Sequence, residues 1–475
     1  MGKATLSEQR ALFLSSASPT DFTEAAKATQ KPSPIAATAV KMMLTLRRLS
    51  GHLSSSLSAA SAETMLLPLR RLPGHLRRSL STVASPPPWA MIYRFALPAN
   101  TTGAASFAIA TPPSATLYSL PELAFNLEER KPNPDRRYVN HHGVFIFAAS
   151  SDGLLLLNVA KHRVGAQASR ELPVEELVKE VVEQEHVRFV CNPVTGQLFR
   201  LPNSANSEKL MMRPPTGLLT QADGGHGPPT RYAAVDIIGL PEEGRFLLSS
   251  FSSETGKWDL TMEPSPLPPG REMRMDQHEA IAFGGRLWWV DVSWGAVSVD
   301  PFGDRPELGY IKLPRRSVIP HQSEKEICEL IKYRRMGVSD GRLRYVEVSD
   351  EAPFQIRSFM LDDESGRWTL EHQVSLGNAA KERPLIGAID PLKADLLYLN
   401  MGGVAVVCLD MRWKKVVDRY SVPSSVIPQC YCASNVFLPC VLPSFLGSCL
   451  IPGKKDAPKQ KTLADVLVRS DICQK

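Results

Sequence analysis

One phrase recurs along the chain and narrows the fold more than any other feature: a glycine-containing turn followed by an alternating apolar strand. It reads SSDGLLLLNV at 150–159, FGGRLWWVDV at 283–292 and SDGRLRYVEV at 339–348, with a glycine-free version, KADLLYLNM, at 393–401. Gly285 and Gly341 stand 56 residues apart, and Gly341 and Asp395 stand 54 apart. A near-constant period of that size is the mark of stacked repeat units. A second phrase ends the strands with an acidic or amide residue, a glycine turn and then an aromatic: NPVTGQLF (192–199), SETGKW (253–258) and DESGRW (363–368). DPFGDRPELGY (300–310) and DMRWKKV (410–416) are looser copies. Asp and Asn hold such turns through their own backbone amides, and glycine accepts positive φ. Trp258, Trp368 and Trp413 are expected to begin the next strand and fill the space between neighbouring sheets.

A unit of this length cannot bury its own apolar face, so several must pack around an axis. The expected fold is all-β, a β-propeller-like repeat of five to six blades, with a β-sandwich pair or a barrel as alternatives. The sixth blade would draw on strands near 105–110 and 143–149. The 39 prolines against 30 glycines fit short elements and many turns. Two helical inserts are expected. Val174, Leu177, Val178, Val181 and Val182 follow helical spacing over 173–185, and Ile327, Leu330 and Ile331 do so within 323–335.

Three regions differ in kind: a low-complexity, disordered stretch over 1–87, the β-rich body over 88–452, and a basic tail over 453–475. The first hundred residues carry twelve Lys/Arg against four Asp/Glu, and the last 23 carry six against three, so the net +6 of the chain leaves the part between at −5. Nucleic-acid binding is therefore not expected of the body. LRRLSGHLSSSLS (46–58) recurs as LRRLPGHLRRSLS (69–81), with Arg70, Arg71, Arg77 and Arg78 on one helical side and Leu69, Leu72, Leu76 and Leu80 on the other. This Arg- and Ser-rich, acid-poor segment over 42–88 resembles a mitochondrial or plastid transit peptide, with Arg78-Ser79-Leu80-Ser81 similar to a processing site. The alternative is a low-complexity tail on a protein of the cytoplasm or nucleus. The uncharged run from Tyr420 to Gly453 is broken by Pro423, Pro428, Pro439, Pro443 and Pro452, so it reads as strands and loops and not as a membrane span.

WWVDVSWGAVSVDPFGDRPELGYIKLP (288–314) resembles the hallmark of the plant domain-of-unknown-function 1618 family, expanded in grasses. The matching positions include Trp288, Trp289, Asp291, Trp294, Gly295, Asp300, Pro301, Phe302, Leu313 and Pro314, and YRRMGVSDGRLRYVEV (333–348) and LPSFLG (442–447) extend the resemblance over about 285–450. It transfers no catalytic residues, no metal and no cofactor. NPVTGQLFRLP (192–202) is also similar to strands of F-box-associated propellers, although no F-box-like helical module is legible ahead of it.

The chain contains no GxSxG elbow, phosphate-binding GxxxxGK[ST] loop or HExxH helix. Cys430, Cys432, Cys440 and Cys449 lack paired zinc-ligand spacing and read as apolar thiols. His141-His142 and Asp276-Gln277-His278-Glu279 read as strand-entry polar groups; strand alternation would keep His278 and Glu279 on opposite faces. Asp362, Asp363 and Glu364 read as turn residues with ordinary acidity. Lys332, Arg334 and Arg335 around Tyr333 read as a solvated helix face. Asp291, set among tryptophans, is expected to be a buried carboxylate that holds a turn through backbone amides. Two functions compete: a non-catalytic module that binds a protein partner through its loops, and a hydrolase or other small-molecule enzyme built in a central channel.

Overall fold

The computed structural model describes residues 86–99, 106–121, 138–171, 181–203, 216–225, 227–268, 271–273, 278–319, 324–377, 382–402, 405–422 and 436–453. The chain enters through β1 (Trp89–Tyr93), β2 (Phe95–Ala99), β3 (Ser106–Ala108) and β4 (Ala115–Pro121). Blade 1 follows as β5 (Tyr138–Ala149), β6 (Leu155–Gly165), β7 (Val181–Cys191) and β8 (Leu198–Arg200). Blade 2 is β9 (Gly217–Gln221), β10 (Arg231–Leu240), β11 (Arg245–Ser252) and β12 (Lys257–Pro264). Blade 3 is β13 (Ile281–Phe283), β14 (Arg286–Asp291), β15 (Gly295–Val299) and β16 (Leu308–Lys312). Blade 4 is β17 (Arg334–Ser339), β18 (Arg342–Val348), β19 (Gln355–Leu361) and β20 (Trp368–Ser375). Blade 5 is β21 (Leu385–Ile389), β22 (Leu396–Met401), β23 (Ala405–Asp410) and β24 (Lys415–Ser421). The last strand, β25 (Phe437–Val441), returns to the start of the chain.

Blade 6 joins the two ends: β25 pairs antiparallel with β1 from Trp89↔Val441 to Tyr93↔Phe437, and β1 pairs parallel with β4. Strand β2 pairs with both β4 and β5, so blades 6 and 1 share one nine-stranded sheet. The inner strands touch in a closed cycle, β5 to β9, β13, β17, β21, β25 and back to β5. This is a six-bladed propeller, the upper end of the expected range.

The tight inner hairpins follow from turn chemistry. Gly284 and Gly285 have φ of 60° and 70°, and Asp340 and Gly341 have 50° and 67°, the two-residue turn with positive φ at both positions that suits the twist of paired strands. Alternation then sends neighbouring residues into different inter-blade cores. Trp289 packs with Val235, Ile237 and Leu248 of blade 2, whereas its neighbour Val290 packs with Met336, Leu343 and Tyr345 of blade 4. Val346 and Val348 meet Ile386, Leu397 and Leu399 of blade 5, and Tyr398, Val406 and Cys408 meet Trp89, Met91 and Phe437 of blade 6. The cores lie between blades, which is why no unit is complete alone.

Two expectations for helices have different outcomes. The second holds as α2 (Glu324–Leu330), preceded in the chain by α1 (Ala166–Glu171), with Ile327 and Ile331 buried between blades 3 and 4. The first is corrected: Val181 to Glu185 belong to β7, where Val181 lies opposite Val164 and Glu185 opposite Lys161. β-Branched valines suit a pleated surface, and pairing with β6 overrides their helical spacing. Residues 172–180 lie outside the described residues, as do the 42–88 segment up to residue 85, most of the tail over 453–475, Cys430 and Cys432. Among the described residues no helix is long and apolar enough to cross a membrane.

Candidate functional site at the axis and rim

The propeller axis is occupied by its own charged side chains. Arg94 follows β1, a strand in which every residue is buried, and donates through Nε to Ile146 O at 3.0 Å and through Nη2 to Phe147 O at 2.7 Å, both in blade 1. Its Nη1 lies 3.5 Å from Oε2 of Glu279, which precedes β13 of blade 3. Arg335, from blade 4, donates to Glu279 Oε1, to Gly387 O of blade 5 and, at 2.8 Å, to Phe437 O of blade 6. Five of the six blades are thus tied to one salt-bridged knot.

Burial by itself would raise the Glu279 carboxyl, but the guanidiniums of Arg335 and Arg94 hold it down to about 2. Burial pulls the Arg94 guanidinium down to about 10, against the attraction of Glu279. His278 Nε2 accepts the Met336 amide at 3.1 Å, which places the ring proton on Nδ1, 2.8 Å from Glu279 O. Desolvation lowers the His278 pKa, against the attraction of Glu279. His278 Nδ1 and Glu279 Oε2 come within 3.7 Å, which corrects the expectation that they point apart: both precede β13, where strand alternation does not yet apply. Asp276 and Gln277 lie outside the described residues.

The hallmark residues form the middle of blade 3. Asp291 is fully buried, and its Oδ1 accepts Ser293 N at 2.8 Å and Ser293 Oγ at 2.5 Å, while Arg271 stands 4.0 Å from its other oxygen. Trp289 is buried, and Trp288 donates to Phe283 O at 3.1 Å. Arg271 and Lys312 lie over the Trp294 ring, 4.2 and 4.8 Å from its centroid. A side chain at Gly295 would run into Ile311 O and the Tyr310 ring. Asp300 Oδ1 accepts Phe302 N across Pro301 at 2.9 Å, and the Phe302 ring lies 4.7 Å beneath Arg231 of blade 2. Every one of these contacts orders the blade or its neighbour.

The other candidates are placed as follows. His141 and His142 fall on β5, opposite His162 and Lys161. Asp362 Oδ1 accepts the amides of Ser365 and Glu364 at 2.7 and 3.1 Å; these bonds, Ser365 first, lower its pKa, so its acidity is not ordinary. The basic group near Tyr333 is corrected from a helix face to the entry of β17. Arg334 donates to Val292 O and Ser317 O, Arg335 is in the axial knot, and Lys332 pairs with Glu329 at 2.6 Å. Cys440 and Cys449 are buried free thiols. Among the described residues no group of three or more His, Cys, Asp or Glu is placed to hold a metal ion. Sequence reasoning passed over Arg94. Its one signal was a lone cation inside the apolar run WAMIYRFAL.

At the rim, Trp258 Nε1 donates to Pro202 O and Trp368 Nε1 to Lys312 O, each at 2.7 Å, so each ring fastens its blade to the preceding one. Trp413 does not fill such a space: it is 68% exposed.

Among solved structures the chain is similar to AztD of Citrobacter koseri, at 11% identity and a TM-score of 0.27 over 59% of this chain and 58% of that one. It is also similar to a chain of the Mitotic Checkpoint Complex (13%, TM-score 0.31, 62% and 73%) and to the β-propeller domain of Myceliophteria thermophila Cps50 (Swd1) (11%, TM-score 0.30, 59% and 86%). The chain thus spans less than two thirds of the AztD chain. No curated protein matches it. The family model described as "F-box protein At3g26010-like, beta-propeller" matches residues 133–421, more than half of the 475. Blades 1 to 5 fall within that match, and the chain belongs to the F-box protein At3g26010-like β-propeller family.

Proposed function

We infer that this protein is a non-catalytic interaction scaffold whose propeller recognises a protein partner. The observation that supports it most is the axial knot. An enzyme working in the central channel needs acids, bases or cations free to meet a substrate. Here the carboxylate of Glu279 is bound by two guanidiniums, and those guanidiniums are bound in turn by four carbonyls of three blades. A propeller whose axial charges are engaged in this way offers its loops and rim, surfaces suited to proteins. The family's F-box name supports a role in presenting a partner to a larger assembly. The blade 3 hallmark residues, Trp288 to Phe302, serve as a structural signature in this reading, and their resemblance to the domain-of-unknown-function 1618 family narrows the setting to plants.

The test is affinity purification of the tagged protein with quantitative mass spectrometry, in cells that express it. A saturable protein partner is the expected result. A small-molecule turnover that Glu279→Gln abolishes in a protein that stays folded would favour the channel enzyme instead.

A further inference from the structure

Blades 1, 2, 4 and 5 carry the same turn between their third and fourth strands, and the four align position by position. The first position is Asn192, Ser252, Asp362 or Asp410, and the fifth is Gly196, Gly256, Gly366 or Lys414. The seventh, on the outer strand, is Leu198, Trp258, Trp368 or Val416. At this seventh position the two indoles reach back to the preceding blade. In blade 5 the indole arrives three positions early. Trp413 takes the place of Thr195, Thr255 and Ser365, and its amide is held by Asp410 Oδ1 at 2.8 Å. The fifth position, a glycine with φ between 64° and 72° in the other blades, is Lys414 at 54°, a side chain in the left-handed region.

A strained turn thus holds an indole in solvent. Beside it Val416 is 59% and Val417 46% exposed on β24, which ends the sheet order β21-β22-β23-β24 and so presents an outer edge with no strand partner among the described residues. From 410 to 419 four cations, Arg412, Lys414, Lys415 and Arg419, face two carboxylates, Asp410 and Asp418, and Asp410 is engaged by the Trp413 amide. This strip is cationic on a body whose net charge is negative. Cations alone on an edge strand protect it from stray pairing. An exposed indole works against that purpose.

We propose that β24 and its preceding turn bind an extended acidic segment of a partner protein, added as a strand to the free edge of blade 5. Its apolar side chains lie against Trp413 and Val416, and its carboxylates lie beside Lys415 and Arg419. The proposal rests on the reading of the propeller as a protein-binding module and names the chemistry of the partner.

The test uses the full chain and fluorescence anisotropy with two short acetylated peptides, one alternating valine with glutamate and the other valine with lysine. The acidic peptide is expected to bind at least about tenfold more tightly, to lose about tenfold on Lys415→Glu with Arg419→Glu, and to lose about fivefold on Trp413→Ala. Equal binding of the two peptides, no binding of the acidic one, or indifference to both variants overturns the proposal. So does a dimer in light scattering that dissociates on Trp413→Ala, which would make a second copy the occupant. Shielding of Trp413 from hydroxyl radicals in the free chain would assign the edge to the chain's own residues. If cellular partners are retained equally by wild type and Trp413→Ala, this edge is excluded while the protein-binding reading stands; if no partner is retained, the broader reading fails.

Discussion

Glu279 is buried with two guanidiniums within reach, so its removal leaves Arg94 and Arg335 facing each other in a low-dielectric axis. Glu279→Gln should cost about 3–5 kcal/mol in urea unfolding, the usual result of breaking a buried pair from one side. Glu279 and two desolvated histidines set the response to acid. His186 is held down to about 3 by desolvation, with His162 and Arg188 adding to it, and desolvation also lowers His278. A histidine whose folded pKa is depressed contributes stability above its unfolded value of about 6.5, and that contribution fades as pH falls toward the folded pKa. Glu279, depressed to about 2, contributes fully above its ordinary 4.5 and loses that contribution as pH falls toward 2. Unfolding midpoints should therefore decline in two stages, first below about pH 6.5 and again below about 4.5. His186→Gln should flatten the first stage, and a midpoint that stays level from pH 7.5 to 5 would contradict the assignment. Asp291→Ala strands the Ser293 amide in a fully buried turn and should cost about 2 kcal/mol, seen as a lower melting temperature.

At the scale of the element, one turn motif is used in two ways. Trp368→Ala removes a cross-blade hydrogen bond and a ring that packs against Tyr345, 6.2 Å away between centroids, and should cost about 2–3 kcal/mol. Trp413→Ala, from the same motif, should stay within about 0.5 kcal/mol of wild type because its ring is mostly in solvent. Chemical denaturation of the two variants side by side checks this contrast. The turns themselves were legible in the sequence because they are local: Asp, Gly and the strand that follows lie within seven residues, and their chemistry does not depend on the rest of the chain. The axial knot was not legible, since Arg94 meets a carbonyl 52 residues away and Arg335 one 102 residues away, and no periodicity reports such distances. The valines that open β7, Val181 and Val182, failed for a related reason. Their spacing satisfies a helix, and only the partner strand β6 decides against it.

The whole molecule depends on a closure between its ends. Blade 6 takes its inner strand, β25, from the end of the chain and its next strand, β1, from the beginning; Met91, at the centre of β1, is fully buried between Pro439 and Ala115 in register. Arg94, one residue after the last register pair with β25, Tyr93↔Phe437, carries that closure into the axis. A chain that begins beyond Arg94 therefore loses a sheet partner for both β25 and β4 together with one of the two axial guanidiniums. Such a truncation should abolish the cooperative thermal transition and expand the particle in small-angle scattering, because a propeller has no smaller unit with its own core. The same constraint bears on the arginine- and leucine-rich segment upstream. Fusions to a fluorescent protein beginning at Met1, Met43 or Met65 all retain β1, so any difference in their destination reports targeting and not folding. If processing occurs near Arg78-Ser81, the mature terminus still precedes Trp89, and amino-terminal sequencing of the folded protein from tissue should always find it there. A folded species that starts after Tyr93 would show that the ring closes without β1.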